Sequence, residues 1–358
     1  MIELPTNPGS RADREAKLSE LHDQLTAAVE ALVTSEQWVR ALEFAARFRT
    51  RSFNNVLLIH AQHATAFEAG LVPHPTPTYV AGFRQWQELG RRVAAGQHGY
   101  SILAPLTARV ATSEPTRPDS WRPLGRGERP RAGEVVRSKL IGVRRAYVWD
   151  ISQTDGRPLP EPPTPQLLRG DAPQGLWDGL AALIDNAGFA LTTSDDPTLG
   201  KANGRTDFLG RTVMIRGDLD AAAQVKTLAH ELAHVRMHDT MTEAAALHRG
   251  IGEVEAESVA LMIGAAHSMD TTGYTIPYVS GWASTVSGKT PIEVVQAVGE
   301  RVRRAAADIL ANLPAGQLGT ADLPGLSRAT SPMPPSIPTA TTAPPNRSVE
   351  HARPRRLA

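Results

Sequence analysis

"LAHELAHVRMH", residues 228–238, decides how the rest of the chain is read. A helix expected from Asp220 to His238, capped by Asp218 or Asp220, puts His230 and His234 one turn apart on one face. Two imidazoles so placed can bind one metal ion, while Glu231, about 100° around the helix, reaches a metal-bound water. Zinc brings such a water's pKa to about 7, so a neighbouring carboxylate can take its proton near neutrality. The competing reading is two histidines that share a face by chance.

A hydrolytic zinc site needs a third protein ligand. One arrangement takes it from the same segment and requires Gly at 237 and His at 240; Met237 and Thr240 exclude it. The other takes a glutamate from the next helix, and "GEVEAESVALMIGAAHS", 252–268, is such a helix. Glu253 and Glu257 lie on one face, whereas Glu255 shares its face with Val259 and Met262. The helix dipole favours acidic residues at an N-terminus in general, yet it does not explain one on an apolar stripe. Glu255 is therefore the expected ligand, with Glu257 second. His238 is expected to play a supporting part. The extended run Thr212–Arg216 would be an edge strand beside the site, able to pair with an extended peptide, or an ordinary packed strand.

At 358 residues the chain is long enough for two domains and a remainder. It has no cysteine, so disulfides and thiolate chemistry are excluded and metal ligands must be His and carboxylate. No apolar stretch is long enough to span a membrane, and "MIELPTNPGSRADREAKLSE" has no signal-like apolar core. The expectation is a cytoplasmic protein. The net charge of +1 conceals a basic stretch: residues 107–145 carry ten Arg or Lys against four Asp or Glu. That suits a polyanion, or equally a solvated basic loop.

Helical periodicity runs through 13–48 with a break at Thr34–Ser35, and a third helix is expected over 54–62. "YSILAP" and "AYVWDIS" read as strands, and the Arg-, Pro- and Gly-rich 111–138 between them as a mobile loop. Six prolines within 155–174 mark a linker. Beyond it come a helix (176–187), an extended segment and two long helices. From 313 onward nine prolines signal a disordered tail.

Residues 175–312 resemble the zincin-like domain of ImmA/IrrE-type metallopeptidases, through "HELAH" and "EVEAES", with Glu255 in the ligand position. "FRTRSFNNVLLIHAQHATA" and "VAGFRQWQELGRRVAAGQHGYSILAP" resemble the N-terminal domain of ArdC-type antirestriction proteins, in which a helix ends in Ser-x-x-Asn. The matching positions include Ser52, Asn55, Trp86, Gly90, Arg91, Val93, Gly96 and Ala104-Pro105. The basic turn of many relatives is Ala94-Ala95-Gly96-Gln97 here. The resemblance implies binding of single-stranded DNA, for which Arg49, Arg51, Asn55, Arg84, Trp86, Arg91 and Arg92 are the candidate contacts. Such binding asks for cations interleaved with aromatic faces; alternatively Phe53, Phe83 and Trp86 are core residues of a small domain.

The resulting expectation is an α+β chain. A small N-terminal DNA-binding domain (1–160) and a Pro-rich linker (161–174) precede a mainly helical gluzincin-like domain (175–312) and a disordered tail (313–358). His230, His234 and Glu255 would hold zinc, Glu231 would act as general base on an unknown protein substrate, and Tyr274 or Tyr278 would assist the oxyanion. In the alternative the zinc site is structural or vestigial, and the protein acts by occluding single-stranded DNA without proteolysis.

Overall fold

The computed structural model describes residues 8–32, 34–125, 127–159, 171–194, 199, 202–238, 249–271, 274, 282–284, 286 and 288–313. The chain is α+β. Three helices open it: α1 (Pro8–Glu30), α2 (Ser35–Arg47) and α3 (Phe53–Glu68). The expected break before α2 is a capping box, in which Thr34 accepts the Gln37 N–H and the Gln37 side chain accepts the Thr34 N–H. Ser52 likewise caps α3, accepting from the Asn55 N–H. The Ser-x-x-Asn pattern therefore starts a helix here rather than ending one.

Strand β1 (Val80–Ala81) and the long β3 (Tyr100–Thr112) and β5 (Val135–Asp150) form a four-stranded antiparallel sheet with β4 (Arg122–Pro123) in the order β1-β5-β3-β4. Between them lie α4 (Phe83–Glu88) and β2 (Arg91–Val93), the latter paired with β6 (Thr154–Gly156). The expected mobile loop at 111–138 is instead the end and tip of this β3–β5 ribbon. Pairing runs from Tyr100↔Val148 to Thr112↔Val135, with one irregularity at Leu106/Thr107. Arg122 ties the tip together through ion pairs to Glu128 and Glu134, which also uses up two of the four acidic groups in the basic stretch. Proline and glycine marked a turn; they hid how far the flanking strands extend.

The C-terminal half places α5 (Leu176–Asn186) before a three-stranded sheet of β7 (Ala190–Ser194), β8 (Gly204–Asp207) and β9 (Thr212–Arg216), ordered β7-β9-β8. Thr212–Arg216 is thus the central strand, not the edge; β8 is an edge. Then follow α6 (Ala221–His238), α7 (Arg249–Ala266) and α8 (Pro291–Ala311). No helix among the described residues is long and apolar enough to cross a membrane.

Among the described residues the core does not part at the expected linker, of which 161–170 lie outside them. One hydrophobic cluster runs from Leu21, Trp38 and Phe53 through Leu180 and Ile215 to Leu232, Met262 and Val298. Polar contacts cross the same junction: Trp38 Nε1 donates to Ser258 Oγ at 3.0 Å, and the Phe53 N–H donates to Glu300 Oε2 at 2.8 Å. The expected tail beyond Leu313 also lies outside the described residues.

Candidate metal centre and nucleic-acid interface

Asp220 caps α6, its carboxylate accepting the Ala223 N–H at 2.8 Å. Leu228, Leu232 and Val235 bury one side of the helix, and His230 and His234 leave it together. Their Nε2 atoms stand 3.1 Å apart. From α7 the Glu253 carboxylate comes to 3.4 Å from His230 Nε2 and 3.7 Å from His234 Nε2. Ligand atoms of His230, His234 and Glu253 all lie within 4.8 Å of one another. Two tetrahedral nitrogens each ~2.0–2.1 Å from zinc would be roughly 3.3 Å apart, so the histidine pair is already spaced for one ion.

The third converging donor is Glu253, not Glu255. His230 meets Glu257, His234 meets Glu253, and a Cβ built on Gly252 would touch His238, the order of an α7 running antiparallel to α6. That arrangement turns the 253/257 face toward the histidines. Glu257, the second choice as ligand, meets His230 Nδ1 at 3.1 Å and Lys226 Nζ at 3.0 Å, leaving His230 Nε2 toward the centre. Glu255 is buried, as its apolar stripe implied, but its partners are His238 Nε2 at 3.1 Å and the Arg301 guanidinium. His238 Nδ1 in turn lies 2.9 Å from His234 Nδ1. A relay Arg301–Glu255–His238–His234 therefore backs one donor, and a carboxylate backs the other. Such outer partners fix ring orientation in metal sites.

Burial pushes the His230 imidazole down, but hydrogen bonds to Glu253 and Glu257 outweigh it and hold the group up at about 9. The same bonds to His230 and His234 hold Glu253 well below the usual carboxylate range. Glu231 is buried and accepts the Thr206 hydroxyl of β8 at 2.6 Å. Gly204 makes room for it, since a Cβ there would fall 2.7 Å from Glu231 Oε1. Tyr274 donates its hydroxyl to the Ala260 carbonyl at 3.1 Å, and burial raises its pKa; that hydroxyl is committed to α7. Tyr278 lies outside the described residues. A cleft of about 650 Å3 bordered by Arg236, Glu255 and Arg301 includes none of the three converging donors, so the donor geometry, not the cleft, locates the centre.

The expected DNA contacts divide in two. Arg51 is buried and bonded to the Val80 carbonyl; Arg91 is buried against Thr154 and Arg157. Trp86 is fully buried, with its indole N–H on the Trp149 carbonyl at 3.1 Å. Asn55 pairs through its amide with the backbone of Leu103, at 2.8 and 2.9 Å, and Gln62 does the same to Ser101. Of the expected contacts, Arg51, Arg91, Trp86 and Asn55 thus have their polar groups engaged within the fold. Arg49 bonds its own helix end at Ala46, while Arg84 and Arg92 are exposed. Phe53 is core, whereas Phe83 is half-exposed.

Residues 16–145 match the N-terminal domain of the anti-restriction factor ArdC, and residues 188–276 match the IrrE N-terminal-like domain. The chain is thus similar to an ArdC N-terminal domain followed by an IrrE N-terminal-like domain. An uncharacterized protein of Bacillus anthracis is 21% identical over 294 residues, covering 77% of this chain and 48% of that protein; the chain spans about half its length. Two crystal structures of the antirestriction ArdC protein from plasmid R388 are also similar. The metal-free one is 18% identical with a TM-score of 0.44, over 72% of this chain and 84% of that one. The Mn(II)-bound one is 20% identical with a TM-score of 0.43, over 72% and 83%. Within the ArdC-type domain, sequence reasoning passed over Tyr147 and Trp149 as mere strand residues; within the IrrE-type domain it passed over Thr206. The alternation of "AYVWD" carried the signal for the first two, since it sends Tyr147 and Trp149 to the face opposite Val148. Nothing local marks Thr206.

Proposed function

We propose that the protein is a DNA-associated zinc metallopeptidase, with zinc held by His230, His234 and Glu253. The observation that carries this is the convergence of those three donors one residue from a buried carboxylate, Glu231. The donor set is nitrogen and oxygen with no thiolate, which suits zinc or a neighbouring divalent ion. When bound, the metal supplies Lewis acidity to a carbonyl. Glu231, oriented by Thr206, takes the proton of the attacking water and returns it to the departing amine. Edge strand β8, which carries Thr206, offers its backbone to an extended peptide. The N-terminal half binds single-stranded DNA and brings the hydrolytic centre to it.

A second reading is supported by the match of the N-terminal half to an anti-restriction factor: a DNA-occluding protein whose metal braces α6 against α7. Glu231→Gln separates the two. It is nearly isosteric and keeps all three donors, so metal content should stay near one per chain. Loss of peptide hydrolysis, together with loss of biological activity, supports the peptidase. Full biological activity in that variant transfers the function to DNA occlusion.

A further inference from the structure

Strand β5 alternates. Ala146 and Val148 turn inward beside Ile102 and Tyr100, which line the core. Arg145, Tyr147 and Trp149 therefore share the opposite face. Tyr147 is 45% exposed, and Phe83, arriving from the start of α4, is 49% exposed. Their rings flank Trp149 at centroid distances of 6.4 and 6.2 Å. The row is held rigidly. Trp149 lies so close to Gly99 that a Cβ there would fall 2.6 Å from the indole, and its carbonyl is fixed by Trp86 from the buried side. Arg84, next to Phe83, is an exposed cation at its border, while the Arg145 guanidinium stands 5.4 Å over Tyr147 and is held by Glu20 and Ser101 Oγ, each at 2.9 Å. Trp149 itself is partly buried against Tyr79, Ala81 and Trp86, so two half-exposed rings flank a seated one, and such an apolar pair is costly for a packed strand unless something covers it.

We propose that Phe83 and Tyr147, seated on either side of Trp149, form a stacking platform for consecutive bases of single-stranded DNA, with Arg84 on the phosphates and Arg145 holding the Tyr147 ring; this rests on the reading of the N-terminal half as a single-strand binder. Every base has a flat face, so stacking tolerates any sequence while cations follow the backbone. Trp86 supports the platform from within through the Trp149 carbonyl, and neither it nor the buried Arg91 touches DNA.

The test uses the full chain and fluorescein-labelled oligo-dT at low salt. Phe83→Leu and Tyr147→Leu keep apolar bulk and remove a ring; each should weaken binding about tenfold. Tyr147→Phe keeps the ring and should bind like the wild type. The dependence of affinity on salt should stay the same in all of them, because the phosphate contacts remain. Wild-type binding with undiminished binding by both leucine variants overturns the platform alone and leaves the DNA-binding reading standing. A Tyr147→Phe variant as weak as Tyr147→Leu also overturns it. A wild type that binds no single-stranded oligonucleotide overturns both.

Discussion

Replacing Gly299 with alanine puts the shared core under test. Gly299 lies in the middle of α8, where glycine lowers helix stability by roughly 1 kcal/mol relative to alanine. In an exposed helix the substitution would stabilise. Here the new Cβ would fall 2.2, 2.3 and 2.7 Å from three atoms of the Phe53 ring, whereas carbon contacts sit at about 3.5–4.0 Å. The ring must retreat by about an ångström. It is anchored at its backbone by Glu300 and packs at a tilt against Trp38, which meets Trp282 edge to face, both at centroid distances of 5.6 Å. Overpacking of this kind costs about 1–3 kcal/mol, and the crowding on three ring atoms argues for the upper end. The net effect is a loss of about 1–2 kcal/mol, several degrees in Tm. Urea unfolding followed by tryptophan fluorescence reads it directly. Phe53→Leu in the same chain should relieve part of the loss, giving a non-additive double variant. A Gly299→Ala protein as stable as the wild type, or strictly additive losses, would refute a core continuous across residues 53 and 299.

Glu253→Ala should abolish stoichiometric metal binding, while Glu255→Ala should retain it with affinity lowered about 10- to 100-fold; metal analysis giving the reverse order would restore Glu255 as the ligand. His230 has its folded pKa raised from 6.5 to about 9, so the stability it lends the metal-free protein is complete below pH 6.5 and lost as pH rises through 9. Metal must displace that proton, so its affinity should climb across the same window; calorimetric titration showing a flat profile would count against the cluster. Asn55→Ala strips partners from the Leu103 N–H and carbonyl and should destabilise the fold by about 1–3 kcal/mol, with oligonucleotide affinity of the folded protein unchanged. A loss of affinity at full stability would return Asn55 to the DNA interface.

Local rules were readable where the partner is local. The break at Thr34–Ser35, Ser52 with Asn55, and His230 with His234 are each set within one turn and were legible in the sequence, though the Thr34–Gln37 cap behind the break went unread and Ser52 was read as closing a helix it opens. Misreadings arose where the deciding partner is far away in sequence. Glu255 stood out correctly as an acid on an apolar stripe, but His238 and Arg301 neutralise it, and no spacing within α7 reveals them. Trp86 and Arg91 carried the composition of a DNA contact; carbonyls 63 and 66 residues away claim them instead. The 111–138 segment was misread because turn-forming composition at the tip masked pairing set by strand residues on either side.

Neighbouring residues of α8 reach in two directions. Arg301 closes the relay behind His234, while Glu300 holds the Phe53 N–H and Arg303 holds the Arg49 carbonyl. This helix is also the last described element to leave the ribosome. Chains usually fold domain by domain as they are made, yet here neither the first three helices nor the histidine pair has its full set of neighbours until about residue 311 has been added. A nascent chain stalled before α8 would present incomplete packing at both ends. The first three helices and the histidine pair accordingly reach their final packing late and together.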